Sequence, residues 1–527
     1  MKILVSDKLS NKGIEVIDKD FTVDIKTGLT EDEIVNIIGE YSALIVRSET
    51  KVTTRIIEAA HQLKIIGRAG VGVDNIDVAS ATKKGIIVCN SPEGNTIAAA
   101  EQTFALLMAM ARNIPKAHVS VQKGEWNRSQ FTGVELAGKT LGVVGLGKIG
   151  KRVVRYAQGI GMSIVGYDPY VSEEHASQLG IQLLNLDDLL KRADFITFHI
   201  PRTKETQNLI DKNKIEMMKD GVYIVNCARG GIIVEKDLRA ALESGKVRGA
   251  AVDVFEVEPI LPDNPLIGAK NIITTPHLGA STMEAQENVA IDVAQQIKSV
   301  LSGGEASAAV NIPSLRRELL EPVKVFMVLA EKLGLFVGQL LADEPIETVE
   351  LVYHGQLTSL NVAPLNLAVL KGLLGHLEPG AVNFVNAEIL ARERGIRVQE
   401  TKLPIEDDYK NLIVVKVKTK SSQHEVGGTI FEDIGEAIVQ INQLKVSVLP
   451  EGILLVIPNE DCPGIIGKIG SVLGQNNINI ANMQVGRVKK GANAVMLVSV
   501  DQNVDAQVIK ELETVPEVRG KIRLVRF

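Results

Sequence analysis

Residues 140–152 read TLGVVGLGKIGKR, which sets Gly145, Gly147 and Gly150 directly after a run of strand-forming apolar residues. The spacing G-x-G-x-x-G between a strand and a helix is typical of a dinucleotide-binding turn. The first glycine permits the tight turn, the second lets the backbone approach a pyrophosphate, and the third lets helix and strand pack closely. The phosphate charge then meets the N-terminus of the helix. The stretch therefore predicts a doubly wound α/β domain that binds a dinucleotide.

The next predicted strand, SIVGYDP at residues 163–169, carries Asp168 at its end, 18 residues after Gly150. An acidic side chain here can bind both ribose hydroxyls and repel a 2′-phosphate, which favours NAD over NADP. The alternative interpretation is that Asp168 only begins a turn with Pro169. Because the strand, the glycine turn, the helix and the acidic strand end occur together, cofactor binding is the favoured interpretation.

Short apolar strands alternate with helical patterns on both sides of this turn. From Lys139 onward six strands are predicted, in TLGVVGLG, SIVGYDP, DFITFHI, YIVNCARG, GAAVDVF and NIITTPH. Five more come earlier, in MKILVSD, FTVDI, ALIVRSE, LKIIGRAG and GIIVCNSP. Such alternation is typical of parallel sheets covered by helices. One helix is predicted at 96–113, and another, from Thr282 to Leu301, is expected to return and pack on the first domain.

The last third of the chain has a different pattern. Residues 312–450 combine apolar helices with strands, and residues 452–527 follow the ferredoxin-like order βαββαβ. The predicted fold class is α/β, with a Rossmann-type cofactor domain, a flavodoxin-like substrate domain, an α+β intervening domain and a ferredoxin-like C-terminal domain. The predicted boundaries are 1–97 with 284–308 for the substrate domain, 98–283 for the cofactor domain, 312–450 for the intervening domain and 452–527 for the C-terminal domain.

Composition excludes several classes of protein. The 527 residues are too many for one core, and 64 acidic against 58 basic side chains argue against a nucleic-acid-binding surface. Cys89, Cys227 and Cys462 are scattered, which argues against a disulfide framework or a metal site. The first residues show no signal-peptide core, and the longest apolar stretch, 97–111, is too short to span a membrane. A cytoplasmic protein that binds neither membranes nor metals is expected.

Three motifs at predicted strand ends supply the groups needed to oxidise an alcohol. VNCARGG at 225–231 offers Arg229, which can bind a carboxylate through two parallel hydrogen bonds and polarise a carbonyl. PHLGAST at 276–282 offers His277, a base suited to take a hydroxyl proton near neutral pH. DVFEVEP at 253–259 offers a carboxylate that could orient the imidazole. Glu258 is the favoured partner, and Glu256 remains the alternative.

Each of these residues also has an ordinary structural interpretation. A single histidine after a strand can cap it or pack in the core, and an Arg-Gly pair can form a surface turn. It is their order after a dinucleotide motif that favours catalysis. His199, in ITFHIP, also ends a predicted strand but lacks a matching acidic motif. It is therefore interpreted as structural.

The runs GRAGVGVDNID at 67–77, VVGLGKIGKRV at 143–153, VNCARGGI at 225–232 and PHLGASTMEAQ at 276–286 resemble the D-isomer-specific 2-hydroxyacid dehydrogenase family. The resemblance covers the whole chain and is greatest to long-form members with an intervening domain and a C-terminal ACT domain. It implies NAD-dependent oxidation of 3-phospho-D-glycerate to 3-phosphohydroxypyruvate, the first step of L-serine biosynthesis. It also implies that Arg229 binds the substrate, that His277 is the acid/base and that Glu258 is its partner.

The resemblance further implies that the substrate domain is hinged to the cofactor domain. It also implies a set of cofactor contacts. These contacts are Gly145, Gly147, Lys148, Ile149, Gly150, Asp168, Ile200, Cys227, Ala228, Arg229, Asp253, His277, Gly279 and Ala280. Val71 and Ile200 replace a threonine that is frequent in relatives. Any cofactor contact at these two residues would have to come from main-chain atoms.

The resemblance also suggests how the phosphate of the substrate is held. Arg47 with Ser48, and Arg68 with Gly70, match basic and neighbouring sites of phosphoglycerate enzymes, in addition to Arg229 and His277. Arg128 is a candidate to reach in from a neighbouring subunit of a homodimer or homotetramer. The alternative for Arg47 and Arg68 is that they pair with local acidic residues.

The C-terminal segment NEDCPGI at 459–465, followed by NINI at 477–480, resembles the ligand loop of an ACT domain. Asp461 can bind an ammonium group, and N–H groups at the following helix start can bind a carboxylate. The resemblance implies L-serine as an effector, with Asn459, Asp461 and Asn479 as contacts. The alternative is a module that serves only assembly, and the intervening domain shows no recognisable ligand motif.

Rival functions remain open on the sequence alone. A glyoxylate or hydroxypyruvate reductase would not need Arg47 and Arg68 and usually lacks the C-terminal extension. A non-catalytic, NADH-sensing scaffold would keep Arg229, Glu258 and His277, so these three residues cannot exclude it. A further possibility is that the terminal module is the main purpose and the dehydrogenase only reports on it.

Overall fold

The computed structural model describes residues 1–312, 317–341, 344–377, 380–404, 409–487 and 493–527. Within these ranges the strands form four sheets, and no helix is long and apolar enough to cross a membrane. The sheet orders given below confirm the predicted fold class. The domain boundaries given above stay predictions.

The N-terminal sheet is parallel, with strand order β2-β1-β3-β4-β5, the flavodoxin-like order. Its helices cover both faces of the sheet, and Thr30 begins α2 with a capping box to Glu33. The elements are β1 Lys2–Val5, α1 Asn11–Ile17, β2 Thr22–Ile25, α2 Glu31–Ile37, β3 Ala43–Val46, α3 Thr54–Ala59, β4 Ile65–Arg68, α4 Val78–Lys83 and β5 Ile87–Asn90.

The second sheet is also parallel and forms the doubly wound cofactor domain, with strand order β12-β11-β10-β9-β6-β7-β8. Its elements are α5 Thr96–Ala111, α6 Ile114–Gln122, β6 Thr140–Val144, α7 Lys148–Gly159, β7 Ser163–Tyr167, α8 Glu173–Gln178, β8 Gln182–Leu183, α9 Leu186–Arg192, β9 Phe195–Phe198, α10 Lys212–Met217, β10 Val222–Asn226, α11 Glu235–Ser244, β11 Val247–Val252 and β12 Ile272–Thr274.

Two details of this region differ from expectation. Six strands were predicted, and the structure adds β8, whose two residues are too few to produce a periodic apolar pattern. The helix predicted at 96–113 ends at Ala111, because Asn113 adopts a left-handed conformation with φ of 53° before α6 begins. The predicted helix is therefore α5, which ends two residues earlier than predicted, and α6 beyond it was not predicted.

Helix α12, Met283–Leu301, returns the chain to the first sheet. The Thr282 hydroxyl caps it by accepting a hydrogen bond from the Ala285 N–H at 3.1 Å. Its buried side chains, including Val293 and Ile297, share a core with residues of β1 and β3. A Cβ at Gly13 would lie 2.7 Å from the Ala290 Cβ, so α1 and α12 are in close contact.

The intervening domain has a six-stranded sheet with strand order β14-β13-β15-β16-β17-β18. Its helices pack backbone to backbone, since a Cβ at Gly334 or Gly372 would overlap the facing helix. The elements are α13 Arg317–Leu320, α14 Met327–Leu341, β13 Ile346–Gly355, α15 Ala363–Gly375, α16 Ala387–Glu393, β14 Arg397–Leu403, β15 Asn411–Thr419, β16 Gln423–Phe431, β17 Gly435–Ile441 and β18 Leu444–Val448.

The C-terminal domain has the ferredoxin-like sheet order β20-β21-β19-β22. Its elements are β19 Ile453–Glu460, α17 Ile465–Gln475, β20 Ile480–Arg487, β21 Asn493–Val500, α18 Ala506–Glu513 and β22 Arg523–Arg526. One sheet face shares a core with the intervening domain, through residues such as Leu454 and Leu497. The Phe336 and Phe527 rings stack there at 6.1 Å.

The intervening domain also contacts the first domain. Lys83 of α4 forms an ion pair with Glu393 of α16 at 2.8 Å. The Asn383 side-chain amide donates to the Gly85 carbonyl oxygen at 2.8 Å. These contacts join the intervening domain to the domain that carries Arg47 and Arg68.

Candidate active site

The glycine turn after β6 has the geometry that a pyrophosphate requires. Gly145 has φ of +96°, and a Cβ there would lie 2.5 Å from the His199 carbonyl oxygen. A Cβ at Gly150 would overlap the Gly145 carbonyl oxygen, so α7 packs closely on the turn. The space around Gly147 is open, with nothing within 4 Å of a Cβ built there. Open space at the start of a 12-residue helix fits a dinucleotide.

Three of the predicted cofactor contacts lie in or near this turn. Asp168, at the end of β7, accepts hydrogen bonds from the N–H groups of Leu146 and Tyr170, both at 2.9 Å. Ile149 packs partly buried against the core of the cofactor domain. Ile200 lies against the turn, where its Cγ2 would be 2.8 Å from a Cβ at Gly145.

Lys148 begins α7, and its Nζ forms an ion pair with Glu93 in the loop after β5 of the first domain. The pair therefore connects the two domains beside the glycine turn. Both side chains are mostly exposed, so the pair contributes little to stability.

Arg229 is held by a local turn after β10. The buried Asn226 side chain accepts from the Ala228 N–H at 3.1 Å and donates to the Arg229 carbonyl oxygen at 2.9 Å. The guanidinium donates through Nη1 to the Ala228 carbonyl oxygen at 2.8 Å and through Nε to Asp74 Oδ2 at 3.1 Å. Arg229 is thereby fixed at the edge where the two sheets face each other.

Cys227, between Asn226 and Ala228, is not a nucleophile at neutral pH. Burial, followed by the nearby charge of Asp253, raises the pKa of the thiol to about 12. The side chain packs partly buried against the core. Cys227 therefore contributes packing beside the cofactor turn.

His277 and Glu258 form a hydrogen-bonded pair, with His277 Nδ1 2.7 Å from Glu258 Oε2. The other carboxylate oxygen of Glu258 accepts from the Phe255 N–H at 2.9 Å. Burial alone would raise the pKa of Glu258, but these hydrogen bonds outweigh it and lower the pKa. Glu256, the alternative partner, is exposed, and its N–H donates to Glu235 at 2.8 Å. The pairing leaves Nε2 as the ring nitrogen that can accept a proton.

Asp253 is fully buried and holds the loop that carries His277. Its carboxylate accepts hydrogen bonds from the Thr275 hydroxyl at 2.5 Å and from the N–H groups of Leu278 at 2.8 Å and Gly279 at 2.9 Å. The Asp253 carbonyl oxygen also accepts from the His277 N–H at 2.8 Å. Asp253 therefore fixes the loop in which His277 has φ of 55° and which continues to Ala280.

Arg47, Arg68 and Arg229 form a cationic cluster where the two domains meet. Burial, followed by repulsion from Arg229 and Arg47, lowers the pKa of Arg68 to about 10, so its guanidinium is still charged at neutral pH. Among the described residues, its buried Nε has no hydrogen-bond partner. The guanidinium lies over Gly70, where a Cβ would overlap Nη1. A buried, charged donor beside two like charges indicates an anion site.

The first domain orders this cluster through Asp7. Its buried carboxylate accepts from the Arg47 N–H at 2.6 Å and from the Thr50 hydroxyl at 2.5 Å. The exposed Ser48 lies between them, and Arg47 Nη1 donates to the Lys8 carbonyl oxygen at 3.1 Å. The Val71 carbonyl oxygen accepts from the Asn90 side chain at 2.5 Å. Neither Asp7 nor Asp74 was predicted as a site residue, although Asp74 lies within the run at 67–77, because their contacts form only when separated loops meet.

The C-terminal candidates do not all come together within one chain. Asn459 pairs across the sheet with Ala494, which faces Arg487, and Arg487 binds Asp461 at 2.6 Å. The Asn459 Oδ1 is buried and lacks a hydrogen-bond partner in the described part of the chain. Asn479 precedes Ile480, which is in register with Ile453 through Val500. Six strand residues separate Asn479 from Asn459, a distance of about 20 Å along the sheet.

Arg128, the candidate to reach in from a neighbouring subunit, lies in an exposed 3-10 turn.

Comparison with known proteins identifies three regions. Residues 104–279 match the D-isomer specific 2-hydroxyacid dehydrogenase, NAD binding domain. Residues 322–442 match the D-3-phosphoglycerate dehydrogenase intervening domain, and residues 454–517 match the ACT domain. The chain therefore binds NAD, in agreement with the open glycine turn.

Relatives match almost the full length. D-3-phosphoglycerate dehydrogenase of Synechocystis is 48% identical over 98% of this chain and 93% of the relative. The enzyme of the same name from Methanocaldococcus jannaschii is 46% identical over 98% of each chain. Among solved structures, D-lactate dehydrogenase from Aquifex aeolicus, complexed with NAD and lactic acid, is 30% identical with a TM-score of 0.53. That match covers 57% of this chain and 96% of the other.

His199 generates a prediction about stability. Its ring contacts the Thr197 hydroxyl at 3.1 Å, and burial lowers its pKa from 6.5 to about 4. Between these values the unfolded chain binds a proton that the folded chain does not, so stability falls as the pH falls through this window. His199→Gln is expected to lose less stability than the wild type between pH 7 and pH 5 in urea unfolding. The exposed His61→Gln is the control, and equal losses in all three proteins would contradict the prediction.

Proposed function

Because this chain belongs to the D-3-phosphoglycerate dehydrogenase family and is an NAD-dependent dehydrogenase, we propose that it oxidises 3-phospho-D-glycerate to 3-phosphohydroxypyruvate. This would be the first step of L-serine biosynthesis. The observation that carries the proposal is the Arg68 guanidinium, whose buried Nε has no partner among the described residues and which lies close enough to Arg229 and Arg47 for their charges to lower its pKa. A substrate with a carboxylate at one end and a phosphate at the other needs such a cluster.

The residues divide the work by their chemistry. Arg229 binds the substrate carboxylate and the developing carbonyl, and Arg47 and Arg68 hold the phosphate, with Ser48 and Gly70 beside them. His277 takes the proton of the 2-hydroxyl group through Nε2. Glu258 fixes the ring through Nδ1 and stabilises the imidazolium that forms. NAD, when bound, supplies the acceptor for the hydride from C2.

The cofactor is proposed to lie along the glycine turn and the loops that follow β9, β10 and β12. Its pyrophosphate would meet the start of α7, and Asp168 would bind the ribose. The contacts proposed are Gly145, Gly147, Lys148, Ile149, Gly150, Asp168, Ile200, Cys227, Ala228, Arg229, Asp253, His277, Gly279 and Ala280. Of these, Asp253 would act through the loop that it holds.

A homodimer or homotetramer is proposed from the surface around α6. Ile114, Val119 and Val121 are each at least half exposed, and Trp126 is 78% exposed. Large apolar side chains exposed together on one short segment favour an interaction site. Arg128 lies next to it, so a neighbouring copy could bring its own Arg128 to the cleft. The free cysteines suit a reducing compartment, and we assign the enzyme to the cytoplasm.

L-serine is the proposed effector of the C-terminal domain. The buried Asn459 Oδ1 and the Asp461 carboxylate offer partners for an ammonium group. Because Asn479 lies at the other end of the sheet, a site that includes all three residues would need two C-terminal domains from different subunits. Serine would displace Arg487 from Asp461.

Substrate preference tests the proposed reaction. NADH absorbance should rise with 3-phosphoglycerate and far less with D-glycerate or 2-hydroxyglutarate. Arg68→Gln is expected to raise KM for 3-phosphoglycerate by about 10- to 100-fold, because a charged hydrogen bond is lost, and to change KM for D-glycerate little. Arg55→Gln, an exposed pair to Asp32 in the same domain, is the matched control. Equal rates with glycerate and 3-phosphoglycerate would favour a glyoxylate or hydroxypyruvate reductase.

The proton-transfer pair gives a second test. His277→Ala is expected to lower kcat by about a thousandfold or more while NADH still binds, because the base is lost. Glu258→Gln should be milder and move the acid limb of the kcat/KM profile to lower pH, since the imidazolium loses its counter-charge. Glu256→Gln should leave the profile unchanged. Near-normal turnover by His277→Ala would refute the base, and a shifted profile in Glu256→Gln alone would favour that partner.

The effector proposal predicts that L-serine slows the wild-type enzyme. Asp461→Ala is expected to abolish this response, because the ammonium group loses its carboxylate. Asp433→Asn, in an exposed turn of the intervening domain, should keep the response. Steady-state rates with increasing L-serine provide the measurement. A wild-type enzyme insensitive to L-serine would indicate that the C-terminal domain serves assembly.

A further inference from the structure

Asp74 of the first domain forms an ion pair with the active-site arginine of the second domain. It lies in the loop after β4, and its Oδ2 accepts from Arg229 Nε at 3.1 Å. The Asp74 side chain is 67% exposed, whereas that of Arg229 is 28% exposed. The two residues are 155 apart in sequence, so the pair exists only when the two domains face each other.

Arg229 has a limited number of donors, and their use sets its orientation. A guanidinium carries five N–H groups. Asp74 takes the one on Nε, and the Ala228 carbonyl oxygen takes one on Nη1. Nη2 lies over Gly72, where a Cβ would overlap it. The hydrogen bonds to Asp74 and Ala228 therefore fix one edge of the guanidinium, and Gly72 lies against one of its faces. Donors on Nη1 and Nη2 remain for a ligand.

We propose that Asp74 is a positioning residue for the oxidation: by accepting from Nε across the cleft, it orients Arg229 so that its remaining donors face the substrate carboxylate. The inference rests on the proposed role of Arg229 as the carboxylate ligand. Gly72 takes part, because its missing side chain gives the guanidinium room to lie in this plane.

The exposure of Asp74 separates this role from a purely structural one. An ion pair with a largely exposed partner contributes little to folding. A misplaced ligand in the reacting complex, by contrast, can lower the rate about 100-fold. Loss of Asp74 should therefore act on turnover and not on stability. Asp74 also lies near Arg68, where its charge partly offsets the repulsion among the three arginines.

Two substitutions at Asp74 test the proposal. Asp74→Ala removes the acceptor and is expected to lower kcat with 3-phosphoglycerate by about 10- to 100-fold. Asp74→Asn keeps an oxygen that can accept from Nε, and is expected to stay within about threefold of the wild type. NADH affinity, followed by fluorescence, and the thermal unfolding temperature should change little in both. A normal kcat in Asp74→Ala, or an equal loss in both variants, would overturn the proposal.

Three companion variants complete the experiment. Glu93→Ala breaks a second ion pair between the first domain and the cofactor domain, to Lys148, and is expected to keep kcat within about threefold. A loss there equal to that of Asp74→Ala would assign the effect to domain closure and overturn the proposal. Gly72→Ala pushes on both partners, since a Cβ there would overlap Arg229 Nη2 and lie 2.8 Å from Asp74 Oδ2, so it should reproduce the loss. Near-normal turnover by Arg229→Ala would refute the proposed function itself. That outcome is distinct from any result with the two Asp74 variants.

Discussion

The active site depends on the return of α12 to the first sheet. Because Val293 and Ile297 are buried in a core with residues of β1 and β3, the chain that leaves the first sheet after β5 comes back to it with α12. This constraint makes the loops after β3 and β4 face the loops after β10 and β12. Arg47 and Arg68 then meet Arg229, and the ion pair of Arg229 with Asp74 connects the two sides.

The charge distribution follows from the same arrangement. The whole chain carries a net charge of −6, yet three arginines converge where the domains meet. Repulsion among them would oppose closure of the domains, and Asp7 and Asp74 offset part of it. The buried Arg68 Nε–H, which has no hydrogen-bond partner among the described residues, is available to bind an anion. An acidic protein can thus attract an acidic ligand through a local field that its overall charge does not indicate.

Local patterns predicted the fold and the cofactor domain well, because strand periodicity and the spacing of Gly145, Gly147 and Gly150 are encoded within short stretches. They missed β8, which is too short for a pattern, and α6, which begins directly after the predicted end of the preceding helix. The partner of His277 stayed open on sequence alone, and only the folded loop shows Glu258 bound to Nδ1. The contact of Asp74 with Arg229 and the separation of Asn479 from Asn459 depend on how distant segments come together, which a local pattern does not show.

The contacts of the intervening domain connect the C-terminal sheet to the first domain. Its core is continuous with the C-terminal sheet, and Glu393 and Asn383 fasten it to the first domain at Lys83 and Gly85. A displacement of the C-terminal sheet would thus reach the first domain, which carries Arg47 and Arg68, before it reaches the cofactor domain. If the C-terminal domain regulates the enzyme as proposed, its effect is therefore expected first on substrate binding and less on the affinity for NAD.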